Sequence, residues 1–598
     1  MVTQVPSGEL TSVEQSLVEH VGRGEWLDLA ADDEAVDEAA MRSWGDSRTC
    51  RATVIRDILR GRLAADPDPH GLRLRGARIS GLLDLKNLTT DVNLELSDCF
   101  LEEGVVARGA RLASVALTGS WLEHPAEPPL NADRLTCSVL DLTGAWIIGH
   151  AEAGAVNLRG AHISDILGGD WATLRNDSGP ALAADGLEVR GLGMFLRGLT
   201  ATGAGEGGTV RLHGAHIAAN LEYDGASLHN DSGPALVGDS LQVGQAIYLR
   251  DGFTATGAGE GGAVSLYEVY IGGSLDCSGA TLRNDSGPAL VADGLQVGHA
   301  MFLRGLTATG AGEGGAVRLT GADIGAQLDC TKASLRNDSG SALLAYGVQV
   351  GQGMFLRRGF TATGGGTGVA LNLMGARVGG TLDFDPARLE HPADPHSRLT
   401  VDGLTYTGVP RLISAQEWLD LLRQSTPGYA AQPYQQLAAG YRALGDERQW
   451  RRILMAQRDD QLARALPRPR WTEQLWGKIT EVTLGYGYQP WRALLFLVGV
   501  VVLSCALAAV LGSHGALAQT SNTATPGRPC MVIQQVSVGL DLNLPVGSSV
   551  ARAGCDLTTD SASATAAWLT AAGWVLRLLA WVFAALFIAG FTSAVRKT

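Results

Sequence analysis

The sequence is short of several things, and each shortage excludes a class. Cysteine is sparse, eight in 598 residues, and no CxxC or Cys/His spacing suggests zinc or a redox dithiol. Basic charge is outnumbered, with 47 Lys and Arg against 61 Asp and Glu, so no cationic stripe for nucleic acid is expected. Aromatic residues make up only 6%, and 21 prolines against 78 glycines fit neither collagen nor a helical bundle. The opening stretch, Met1 to Gly24, is polar and acidic, without the basic and apolar regions of a secretory leader.

What is abundant is glycine, which suits tight turns because it tolerates positive φ. The chain is self-similar. LRNDSGPAL at Leu174 returns at Leu228, Leu282 and Leu335 (as LRNDSGSAL), in steps of 54, 54 and 53 residues. Between these copies runs FLRGLTATGAGEGG, at Phe195, Tyr248 and Phe302, with a degraded copy at Phe355. Each unit divides into halves that share a cadence of Leu, Ile or Val at alternate positions, broken by Gly-Ala or Gly-Leu. A period of two with frequent glycine argues for short strands and against helices. Coils of about 27 residues with polar corners predict a right-handed parallel β-helix, a solenoid. A Gly-Ala-x-aliphatic motif extends the cadence to Gly76, Gly109, Gly144, Gly160 and Gly375, so the solenoid is expected over residues 67–407 in roughly 12 coils, about 60 Å long.

Residues 1–66 read as a helical cap, with a capping box at Thr11 to Glu14 and an amphipathic helix from Ala52 to Leu63. They would cover the open edge of the first coil. Residues 408–480 read as a helical hairpin and juxtamembrane linker. Its Gln432-Pro433-Tyr434…Leu437-Ala438…Tyr441…Gly445-Asp446 run has the cadence of a tetratricopeptide hairpin, read as a rigid coupling of rod to membrane.

Residues 481–598 form the expected membrane anchor. Two charge-free stretches, 493–511 and 578–595, are each about 27–29 Å long as helices, near the bilayer's hydrocarbon thickness. Arg464, Arg468, Arg470, Lys478 and Arg492 precede the first span, and Arg596 and Lys597 follow the second. The loop between them, 512–567, holds Arg528 and Arg552, with Arg577 at its border. The positive-inside rule then places both termini and the solenoid in the cytoplasm. Trp471, Trp476, Tyr486, Tyr488 and Trp491 would lie in the interfacial belt. Cys530 and Cys555, alone on the outer side, are expected to pair as a disulfide.

Several motifs invite chemistry. Gly203–Gly208, Gly257–Gly262 and Gly310–Gly315 satisfy GxGxxG, but strand-like residues follow where a dinucleotide site needs a helix. Thr483-Leu484-Gly485-Tyr486-Gly487 has the composition of a potassium filter, but it precedes the first span. Cys277 and Cys330 follow Leu-Asp where other coils place Leu85, Tyr223 and Phe384, so they read as small inward hydrophobes. His162, His216 and His229 are expected at coil positions without a common cluster. Asp84, Glu222, Asp276, Asp329 and Asp383 are read as equivalent positions, the last four along one face two coils apart. That row is either a solvated stripe or a docking surface for a basic partner.

The Gly-Ala-x-Ile cadence is similar to pentapeptide-repeat proteins, from which the NDSGP and TGAGEGG corners depart. With Trp418…Gln432-Pro433-Tyr434-Gln435-Gln436…Gly445, two spans, and Val538-Gly539-Leu540-Asp541…Leu544-Pro545 between them, the arrangement resembles a bacterial family labelled "membrane-associated oxidoreductase". The resemblance implies a multi-pass protein of a bacterial inner membrane and a redox activity. No residue of the sequence carries that chemistry, and no cofactor, catalytic residue or metal site is expected. The sequence leads instead to a membrane-anchored scaffold that meets the bilayer and an unidentified protein partner, with its oligomeric state open.

Overall fold

The computed structural model describes residues 10–31, 36–465, 478–479, 482–483, 491–513, 517–519, 528–541, 543, 555–557 and 564–597. Two compact units divide the chain, Met1–Asp446 and Glu447–Thr598.

In the first unit, short strands wind into a parallel solenoid with three sheets of 24, 14 and 13 strands. The third sheet receives one strand per turn, giving 13 turns, and the first receives two. Register partners in the middle of the solenoid lie 26 to 28 residues apart, as in the series Phe195, Glu222, Tyr248, Asp276 and Phe302. The first turns are shorter, 21 to 25 residues along Leu72, Leu94, Val115 and Leu140, so the 27-residue coil is not uniform.

The sequence period of two becomes inside-outside alternation. Val189, Ile217, Val243, Ile271 and Val297 stack inward on the first sheet, nearly or fully buried. On the second sheet the inward residue alternates, Leu174, Ala201, Leu228, Ala255, Leu282, Ala308. Turns with the smaller Ala carry a large buried side chain two residues earlier, Leu199, Phe253 or Leu306, where turns with Leu have Ala172, Ala226 or Ala280, so volume is conserved from turn to turn. This alternation is the structural basis of the 54-residue double repeat.

The Gly-Ala-x-aliphatic motif marks a corner and not one fixed place in the coil. Gly144 (φ +66°) leads into the second sheet at Trp146, whereas Gly160 (φ +59°) leads into the first at His162. The αL conformation turns the chain at either corner, and glycine adopts it without strain.

Both ends are closed. Helices α1 (Ser12–Arg23) and α3 (Ala52–Leu59) cover the first turn, and α2 (Glu38–Ser43) packs Met41 against Phe100 and Trp121 of the second sheet. α3 ends four residues before the expected Leu63. Sequence reading missed two cap strands: Leu27–Asp28 pairs with Leu74–Arg75, and Thr49–Arg51 with Arg78–Ser80. The cap therefore continues two sheets by one strand each, and α3 packs where the third would start. Glu14 closes the capping box with Thr11 and also binds Arg51 at 2.6 Å from within the core. Burial pushes its carboxyl up, but hydrogen bonds from the Arg51 side chain and from the Thr11 and Arg51 N–H groups outweigh this and hold it at about 2.

At the other end, α4 (Ala415–Gln424) and α5 (Gln432–Ala443) belong to the first unit. The hairpin expected as a linker is a lid on the last turn. The Gln432 amide accepts from Gly403 N–H and donates to the Leu404 carbonyl, and Gln436 donates to the Tyr406 carbonyl. Trp418 is buried edge-on against Phe384 and Tyr406, with ring centroids 5.1 and 6.4 Å away.

The second unit begins with α6 (Glu447–Asp460). Helices α7 (Trp491–Leu511) and α9 (Ala564–Lys597) are long and apolar enough to cross a membrane, over Trp491–Val510 and Ala571–Ala589. The second stretch starts earlier than the sequence suggested, so Arg577 lies six residues inside it and not at its border. Phe496 of α7 stacks on Phe583 of α9 at 5.4 Å. The segment between them, expected as a plain outer loop, contains helix α8 (Val532–Asp541) and an antiparallel pair, Leu517–Gln519 with Cys555–Leu557. Trp471, Trp476, Tyr486, Tyr488, Arg468, Arg470, Arg552 and Leu484 to Gly487 lie outside the described residues.

Candidate functional site

The first sheet brings Glu222, Asp276, Asp329 and Asp383 into one column, alternating with Phe195, Tyr248, Phe302 and Phe355. Asp84 is not among them. It sits on the third sheet beside Val106, and Arg56 of α3 reaches it at 3.2 Å. Leu85 consequently has no equivalence to Tyr223 and Phe384.

Two residues after each aromatic, on the same face of the strand, stands an arginine: Arg197, Arg250, Arg304 and Arg357. Each guanidinium lies over its own aromatic ring, 5.5, 4.2, 4.3 and 4.5 Å from the centroid. Each also pairs with acids of neighbouring turns. Arg197 meets Asp170 at 2.5 Å and Glu222 at 3.9 Å; Arg250 meets Asp224 at 3.0 Å and Asp276 at 3.9 Å. Arg304 binds Asp329 at 2.6 Å, and Asp383 is held between Arg357 and Arg411.

The acids also cap turns. Asp276 accepts from the N–H and hydroxyl of Ser278, and Asp329 accepts the same pair from Thr331. Burial raises the Asp329 carboxyl, but the Thr331 hydroxyl, Arg304 and the Thr331 N–H outweigh it and leave it below the usual range. Side-chain exposures of 15, 18, 5 and 1% for Glu222, Asp276, Asp329 and Asp383 follow from these partners. The column is thus a lattice of acid, arginine and aromatic groups with much of its negative charge offset inside the chain.

The remaining motifs resolve structurally. Each GxGxxG loop leads into a two-residue strand, Val210–Arg211, Val264–Ser265 or Val317–Arg318. One central N–H of each loop is already engaged: Gly205, Gly259 and Gly312 donate to the hydroxyls of Ser232, Ser286 and Ser339, each at 2.7 Å. Cys277 and Cys330 are fully buried and their thiols are pushed up by burial. His162 and His216 stand two turns apart on either side of Glu188, with His162 at 3.6 Å from its carboxylate. His229 stands on the second sheet beside Asp231. Among the described residues no group of three or more His, Cys, Asp or Glu could hold a metal ion.

In the second unit Cys530 and Cys555 form a disulfide with a Cα separation of 6.3 Å, packed with Leu517, Leu507 and Val538. Helix α8, which starts beside it, runs along α7. A Cβ on Gly539 would meet Cys505 Cα at 2.6 Å, so the backbones touch there, and the buried Asn543 lies against Ser504.

No family model, curated protein or solved structure matches this chain.

The arginine partners were missed although FLR and YLR spell them out: residues two apart on a strand share a face. Nothing in the pattern around Asn543 marks it.

Proposed function

We propose that the chain is a membrane-anchored scaffold, its solenoid held at the cytoplasmic face of a bacterial inner membrane by α7 and α9, offering its lateral faces to a protein partner. One observation carries this reading. The solenoid is filled with side chains and lidded at both ends, so its sides are the surface that stacking enlarges. Those sides carry large apolar groups, Trp171, Leu192 and Tyr270, exposed by 70, 62 and 52%. Exposed aromatic and aliphatic anchors favour recognition sites. The lattice around Glu222, Asp276, Asp329 and Asp383 adds a rigid, mixed-charge face that would set register more than affinity. Basic flanks, Arg464 before α7 and Arg492 in its first turn, with Arg596 and Lys597 at the end of α9, support the cytoplasmic side.

The test is site-specific photocrosslinking from positions 171, 192 and 270 in the native cells. A discrete adduct, lost in Tyr270→Ser or Leu192→Ser, is expected; monomer alone from all three positions overturns the scaffold. In intact cells an Asp231→Cys variant, on an exposed corner, should resist an impermeant thiol reagent, and labelling would place the solenoid outside. The absorbance spectrum and metal content of the purified protein address the redox activity implied by the resemblance. A stoichiometric chromophore would replace the scaffold with an enzyme.

A further inference from the structure

We infer that the second unit holds a binding site, within the depth of the bilayer, for an apolar ligand carrying a hydroxyl donor. This rests on reading α7 and α9 as membrane-spanning. Three contacts place α8 against α7 in the opposite direction: Gln535 beside Gly512, Gly539 beside Cys505, and Asn543 beside Ser504. Ser504 lies seven residues from the end of α7, roughly 10 Å at helical rise. The chain therefore descends from the outer end of α7 to about a third of its length. The disulfide then returns Cys555 to Cys530 at the top. Such re-entrant backbone is tolerated at membrane depth where it is buried in protein or lines a cavity, and interrupted helices of this kind commonly border ligand sites.

A cavity is present. It has a volume of about 460 Å³ and is bordered by Leu497 and Val501 of α7, Leu540 of α8, Trp581 and Ile588 of α9, and Asn543. That volume suits a small ligand. The lining is apolar except for Asn543, which is 7% exposed. The Asn543 amide nitrogen donates to the Gly539 carbonyl at 2.9 Å and to the Ser504 hydroxyl. The single Ser504 hydroxyl proton is shared between the Gly539 and Val501 carbonyls, at 3.0 and 2.8 Å. The Asn543 Oδ1 is buried and has no hydrogen-bond partner among the described residues. A buried acceptor without a donor is costly, and a polar group at this depth marks function more often than packing. With both amide protons engaged, the site offers only an acceptor. The complementary ligand is a hydrophobic molecule with an O–H, and a carbonyl or ether in the same place would leave Oδ1 unpaired.

The experiment uses the full chain in mild detergent and two photoreactive probes, a dodecanol with a mid-chain diazirine and its methyl ether. The alcohol should label peptides containing Leu497, Trp581 or Ile588 at least tenfold more than the ether. Asn543→Leu should reduce alcohol labelling to the ether level. Ala584→Phe, which fills the cavity from the α9 wall and leaves Asn543 in the chain, should suppress both probes, and an intact Cys530–Cys555 disulfide reports that each variant has folded. Equal labelling by alcohol and ether means that the cavity takes any acyl chain, and overturns the inference. So does undiminished alcohol labelling of Asn543→Leu. Release of the native protein from membranes by alkaline carbonate would remove the membrane-spanning reading and the site with it.

Discussion

Asn284 allows the most searching test of the solenoid. It is fully buried in an NDSGP corner, and its amide satisfies four backbone groups. The nitrogen donates to the Gly259 carbonyl of the preceding turn and to Pro288, both at 2.9 Å; the oxygen accepts from Ser286 and Gly287 N–H at 3.0 and 2.9 Å. Asn284→Ala removes all four. At about 1 kcal/mol for each bond the loss is about 4 kcal/mol. Each turn of a solenoid contacts only its neighbours, so the loss should be local. The assay is amide hydrogen exchange on the full chain, followed on the peptide covering 281–290 and on the 257–262 loop. A local opening made easier by about 4 kcal/mol lowers protection there about a thousandfold, with protection at 174–183 unchanged. Asn284→Asp should be no better than Ala, because a carboxylate would face two carbonyls where the amide donates. Protection that falls less than tenfold in the Ala variant, or recovers in the Asp variant, refutes the reasoning.

Other consequences follow from described contacts. The Glu14 carboxyl, held at about 2 against an ordinary 4.5, contributes stability above the ordinary value and loses it as pH falls through that interval, in all about 3 kcal/mol. Glu14→Gln should therefore destabilise the N-terminal cap at neutral pH, and its gap from wild type in denaturant unfolding should close near pH 2. Trp418→Ala empties the space between Phe384, Tyr406 and α4 at a cost of about 3–5 kcal/mol. It should uncover the last sheet edges, seen as self-association by light scattering. Iodoacetamide at pH 8 should leave Cys50, Cys99, Cys137, Cys277 and Cys330 unmodified in the native protein and label all five after unfolding. Burial pushes the first three thiols to about 12 and the other two higher still.

The solenoid was legible because its signal repeats: alternation is read once per turn, and even the volume compensation between Ala172 with Leu174 and Leu199 with Ala201 is visible as ATLR against LTAT. Position around the coil was less legible. A Gly-Ala corner states that the chain turns and not which sheet it enters, and so Asp84 was aligned with acids of another sheet. The cap strands Leu27–Asp28 and Thr49–Arg51 are too short to have a period, and exist only because the first turn offers them an edge. The hairpin at 415–443 was recognised as helical, but its role as a lid depends on Gln432 and Gln436 reaching backbone groups roughly thirty residues earlier. Asn543 was invisible for a different reason. Its meaning comes from Ser504 and a cavity assembled by three helices, two of which are encoded far from it.

The two kinds of corner also set a rule for how this molecule can change in length. Every TGAGEGG loop in the central repeats is seated between NDSGP corners, giving Gly205 to Ser232 on one side while Ala204 donates to Gly179 on the other. Removing one turn would set two loops of the same kind against each other, glycine N–H groups facing glycines or asparagine amides facing asparagine corners according to the turn removed. Removing two turns would restore every contact. The solenoid is therefore a chain of paired units. It can be lengthened or shortened in steps of about 54 residues, as a strip of tiles can be cut only between complete motifs.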